Sequence, residues 1–184
     1  MSASFEEFFT RAVDLAGHFA HSERPRDTDW ERLEAEIGYR FPLTHKRFVS
    51  HFGSGRFGSD LYLHNPKAAG RCGLNDRMLR SYGEENVSFL QEAQQVVYPD
   101  SGLVLVADTT SRMSFFLDLG SNQHGENVIF ADLGVFRIVN LGLTFAEFVC
   151  ELYEGELKVG HTAGLRESIW TRRDVPFFQP FTTS

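Results

Sequence analysis

The 184-residue chain has little that would staple it, anchor it in a bilayer or draw it to nucleic acid. It carries two cysteines, Cys72 and Cys150, and no Cys-x-x-Cys pair. Two distant cysteines do not make the disulfide framework of a secreted domain, and they point to a reducing compartment. No apolar run approaches the roughly 18 residues that a membrane span needs. The opening stretch, MSASFEEFF, lacks the basic and apolar regions of a secretory signal. A cytoplasmic location is therefore expected, and the sequon Asn86-Val87-Ser88 then has no meaning as a glycosylation site. Positive charge is also scarce: Lys+Arg is 18, Asp+Glu is 25, and the net charge is −7. Such a chain is repelled by phosphate backbones, which argues against nucleic acid as a direct partner. The acidity suits a basic protein partner, although mild acidity also serves solubility alone.

Aromatic residues are plentiful. Phe occurs 18 times, and hydrophobic residues make up 42% of the chain. A chain of this length buries roughly 70% of the surface that its unfolded form exposes, so it needs neither disulfides nor metal to hold a core. One domain over residues 1–184 is expected.

Residues 5–19 place Phe5, Phe8, Phe9, Ala12, Leu15, Ala16 and Phe19 at helical spacing, behind a Ser4/Glu7 capping-box pattern. A second helix is expected from Thr28, with Glu31 completing a box, Trp30, Leu33 and Ile37 facing inward, and Gly38 at its end. Thr44 is read as the cap of a third helix running to Phe52. Gly53–Gly58 reads as a turn-rich crossing, and Asp60–His64 as a short strand stopped by Asn65-Pro66. Residues 67–82 look irregular, and 84–95 have a helical pattern. Four strand signals follow at Leu103–Ala107, Arg112–Leu119, Asn127–Ala131 and Val135–Val139, the last two separated by a turn at Asp132-Leu133-Gly134. They argue for a mostly antiparallel sheet. A closing helix is expected from Thr144 to Tyr153, with Thr144 and Glu147 as its capping box and Gly155 ending it. In the tail, Trp170, Phe177, Phe178 and Phe181 imply packing rather than disorder. The fold class is α+β: a central, mostly antiparallel sheet flanked by helices.

Catalytic and cofactor chemistry finds little support. Gly53–Gly58 matches G-x-G-x-x-G by letter, but it follows a helix and leads into a strand, the reverse of what a dinucleotide site requires. The seven histidines read as surface residues, and no metal or cofactor is expected. Cys150 lies off the apolar stripe of the closing helix and is expected to be partly exposed, with no base to activate it. Asp108 and Asp118 are the only candidates for a carboxylate pair, and turn chemistry is the simpler role for both.

The order of these segments carries a resemblance. Trp30 through Pro42 resembles a helix ending in E-x-x-I/L-G followed by x-L-P, and Leu43–Phe52 resembles an x-Y-x-x-F-L helix before a glycine-rich turn. Val104–Asp108 and Phe115–Leu119 are similar to two strands of the same pattern, and Leu143–Phe148 to its closing A-x-S-F-x-E-F-L helix. Phe41 replaces the usual Leu before the proline, and His45 stands where Tyr is frequent. Over residues 28–155 the chain thus resembles the SUKH superfamily, which includes fungal regulators of cell-wall synthesis and bacterial immunity proteins. The resemblance implies an α+β fold without shared catalytic residues. It also implies a role as an immunity protein that binds and neutralises a cognate polymorphic toxin domain. A regulatory scaffold with several protein partners is the alternative, and a small enzyme a third reading. The expected contact residues lie on the sheet edge and its turns: Asp60, Tyr62, Asp108, Arg112 and Asp118.

Overall fold

A computed structural model describes residues 5–19, 23–68, 73–74, 102–111, 113–120, 128–132, 137–157, 164–170 and 175–181. The expected helix at 84–95, the Ser4 cap, Arg112 and the turn at 133–134 lie outside them.

Among the described residues, five helices and seven strands alternate in blocks. The helices are α1 (Phe5–Ala16), α2 (Asp27–Ile37), α3 (Leu43–Phe52), α4 (Phe145–Glu154) and α5 (Leu165–Ile169). The strands are β1 (Gly55–Phe57), β2 (Leu61–Leu63), β3 (Leu103–Asp108), β4 (Met113–Asp118), β5 (Val128–Asp132), β6 (Arg137–Asn140) and β7 (Phe178–Pro180). The strands form one sheet in the order β6-β5-β4-β3-β2-β1-β7, with every neighbouring pair antiparallel. The fold is α+β, as the pattern of the chain implied.

One face of the sheet carries the main core. Phe57 on β1 meets Phe48 of α3 at 5.6 Å between ring centroids and Phe178 of β7 at 4.9 Å. Phe115 on β4 meets Phe148 of α4 at 4.9 Å. Such tilted and edge-on rings add packing energy to their area burial. α1 lies outside α4, joined by the Cys150 thiol donating to the Phe8 carbonyl at 3.5 Å and by an Arg11–Glu154 ion pair. Leu103, Leu105 and Phe116 point to the opposite face and are buried as well. All six residues of β3 are buried, as expected of a strand covered on both sides. The register slips at Val106, where a bulge lets one extra residue into β3.

Several local expectations change. α2 starts at Asp27 rather than Thr28, because the Asp29 carboxylate reaches back to accept from the Arg26 amide at 2.9 Å. α3 starts at Leu43 behind Pro42, so Thr44 is inside the helix and does not cap it. Cys150 is fully buried, because α1 covers that side of α4. His45 and His64 are also buried and are not surface residues. The closing helix is capped as expected: Thr144 accepts from the Glu147 amide while Glu147 accepts from the Thr144 amide.

The Gly53–Gly58 run contains a strand. Gly53 and Gly58 have φ of 69° and 59°, and a Cβ on Gly55 would stand 2.3 Å from the Phe178 ring. These glycines serve the turn and the close passage of β7 rather than a phosphate.

Candidate protein-binding face

β1 and β2 share one pattern, Gly55-Arg56-Phe57 and Leu61-Tyr62-Leu63, in which only the middle residue turns away from the main core. Cross-strand register places those middle residues in a row. Arg56 pairs with Gln179 on β7 and with Tyr62 on β2; Tyr62 pairs with Asp108, and Asp108 with Ser114. Direct partners in an antiparallel pair hold their Cβ atoms about 5 Å apart, so these five residues form a polar stripe across five strands.

The stripe is held in place by its own contacts. Arg56 donates from Nε and Nη2 to the Gln179 side-chain oxygen at 2.9 and 2.6 Å, and from Nη1 to the Ser59 carbonyl. The Tyr62 ring stacks on Phe181 at 6.0 Å. Asp108 presents a carboxylate oxygen 3.6 Å from His64 Nε2, beyond a hydrogen bond. His64 is wholly buried, while the Asp108 side chain keeps 12% exposure.

Next to the stripe, Asp60 closes the same end of the sheet. Its carboxylate accepts from the Thr110 amide and hydroxyl and from the Ser111 hydroxyl. Ser111 also touches Ser168 on α5 at 3.2 Å, and Ser59 donates to the Ile169 carbonyl from both its amide and its hydroxyl. One carboxylate therefore ties the β1–β2 turn to the β3–β4 turn, with α5 beside both. Asn65 does similar work nearby: its side chain donates to the Glu23 carbonyl and to Ser54, and accepts from the Lys67 amide.

Asp60, Tyr62 and Asp108 thus come together at one end of the sheet. Asp118 does not join them. It pairs with Leu103 at the far end of β3 and β4 and accepts from the Gly120 amide at 3.2 Å, a turn role. At the usual strand rise that end lies roughly 17 Å away. Arg112 lies outside the described residues. Sequence reading missed Arg56 and Gln179, which are 123 positions apart. The repeated apolar–polar–apolar triplets on either side of Gly58-Ser59-Asp60 were the available sign of a hairpin.

Two buried titratable groups are chemically quiet. His45 sits among Trp30, Phe41 and Phe145, with neither ring nitrogen hydrogen-bonded. Burial, helped by the nearness of His64, lowers its pKa to about 3, so the ring is neutral at ordinary pH. Burial also raises the Cys150 thiol to about 12, with Glu154 adding to the effect, so it is not a nucleophile. Among the described residues no group of three or more metal-ligating side chains converges, and no helix is long and apolar enough to cross a membrane.

A family model described as SUKH_6, SMI1-KNR4 cell-wall, matches residues 27–149, about two thirds of the chain. The chain belongs to the SUKH superfamily. No curated protein matches the sequence. The SUKH match runs from the first residue of α2 into α4 and covers the Asp60 latch and β1–β6. It leaves out α1, α5 and β7, so Gln179 of the stripe and Phe181, which stacks on Tyr62, come from outside the matched region.

Proposed function

We propose that this SUKH protein is a cytoplasmic immunity protein. It binds a cognate polymorphic toxin domain, such as a nuclease, and blocks it by covering its active site, without catalysing a reaction. The family match over residues 27–149 carries this reading, because SUKH members are consistent with immunity or regulatory roles. The net charge of −7 supports it, since an acidic surface speeds encounter with a basic nuclease. The proposed contact set is Asp60, Tyr62, Asp108, Arg112 and Asp118. Asp60 and Tyr62 would touch the toxin at the rim, while Asp108 acts from beneath them. A stable complex of this kind buries about 1,600 Å².

Co-expression tests it. The toxin encoded beside this gene should arrest growth alone and lose that effect when this chain is present. Continued arrest with every neighbouring toxin gene counts against the reading. The cell-wall description of the matched family favours a second reading, a non-catalytic regulator with several protein partners. Recovery of several unrelated partners at comparable affinity would select it.

A further inference from the structure

We infer that the groove between α2 and α3 is a second docking site, and that it receives a cationic protein segment carrying an aliphatic anchor. The groove encloses about 460 Å³. Leu43, at the first turn of α3, stands on its wall with 79% of its surface exposed, the one large hydrophobic side chain so exposed among the described residues. Trp30 and Ser50 also line it and are joined to each other by the indole N–H donating to the Ser50 hydroxyl at 3.2 Å.

Charge decides what fits. α2 bears five carboxylates, at Asp27, Asp29, Glu31, Glu34 and Glu36, against the single cation Arg32. Asp27 and Glu31 line the groove from exposed positions, and neither is paired with another described residue. The cations on the α3 wall are already engaged. Lys46 is bound to Glu34 at 2.8 Å, and Arg47 pairs with Glu6 while lying over the Phe9 ring at 4.5 Å. The groove therefore presents open negative charge beside an open apolar side chain. Glu31 also borders an adjoining hollow of about 420 Å³, lined with Glu34, Ala35, Gly38, Tyr39 and Arg40. An amphipathic helix from a partner, leucine toward the exposed Leu43 and lysine toward Asp27 and Glu31, satisfies both features.

The groove is separate from the polar stripe, and the inference does not require the partner to be a toxin. The probe is a short designed helix with leucines on one face and lysines on the other, titrated into the full chain while backbone amide shifts are followed. Saturable shifts at Glu31, Leu43 and Ser50, weakened by salt, are expected. A control helix with glutamate in place of lysine should not bind. Leu43→Glu should weaken binding about tenfold, the loss of one buried leucine. Glu31→Lys should weaken it about fivefold. Leu43→Ser repeats the first test, and unchanged melting temperatures show that each variant is folded. No saturable binding, shifts confined to other surfaces, equal binding of the control, or unaltered affinity in the variants would each overturn the inference. Growth rescue without peptide binding removes the groove and keeps the immunity reading; peptide binding without rescue does the reverse.

Discussion

Protonating His45 should cost the fold stability in a pH window where carboxylates are still ionised. The ring lies 4% exposed among Trp30, Phe41 and Phe145, at centroid distances of 6.3, 5.8 and 6.0 Å, and both nitrogens lack hydrogen-bond partners. Its pKa is about 3 in the fold against 6.5 for the free side chain. The unfolded chain thus takes up a proton first as pH falls. Stability from this group is fully present above 6.5 and is lost progressively between 6.5 and about 3. Between about pH 7 and about pH 5 the loss works out at about 2 kcal/mol. The ionisable groups around the ring are His64, just past β2, whose charge lowers the His45 pKa further, and Glu34 and Lys46, which pair on the Phe41 amide side. Urea unfolding of the natural chain and of His45→Phe at several pH values isolates the term, because other titrations cancel in the difference. The natural chain should lose about 2 kcal/mol more than the variant over that window. Parallel pH profiles would refute a neutral, unsatisfied His45 in the core.

Other parts of the structure are equally open to test. Asp60→Ala leaves the Thr110 amide, the Thr110 hydroxyl and the Ser111 hydroxyl without their acceptor, and should cost about 1–2 kcal/mol and speed hydrogen exchange at Thr110. Gly102→Ala puts a Cβ 2.1 Å from the Gly120 amide nitrogen and should destabilise by about 3 kcal/mol in thermal or urea unfolding. Cys150 should resist thiol reagents in the native state and react once the chain is unfolded, because its thiol is buried under α1 with a pKa of about 12.

Legibility in the sequence followed how local each signal was. α4 was read correctly because its start, its buried stripe and its end lie within a dozen residues: the Thr144/Glu147 box, Phe145 and Phe148, and Gly155. β3 and β4 were read because each holds a compact apolar run, Leu103–Ala107 and Phe115–Leu117. β1 was missed because Gly55-Arg56-Phe57, set in a run with Gly53 and Gly58, looks like a turn, and it becomes a strand only when β2 and β7 pair with it. β7 contains Pro180, tolerated at the sheet edge but discouraging in a linear reading. The helix caps shifted where a rule names several acceptable residues: Thr28 fits a cap, yet Asp29 reaches Arg26 first. His45 was read as a surface residue because its aromatic surroundings come from α2, the α2–α3 link and α4. The stripe was legible in part. Tyr62 and Asp108 are expected at the sheet edge and its turns, whereas β2 and β3 lie inside the sheet, and Arg56 and Gln179 meet only through the β1–β7 pairing, which no local pattern encodes.

The most direct measurement of the central claim is a titration of the neighbouring toxin's activity with the purified chain. Activity should fall in proportion to added protein and vanish at one equivalent, with Tyr62→Ala requiring more protein to reach the same inhibition. Full toxin activity in a large excess of the chain would contradict it.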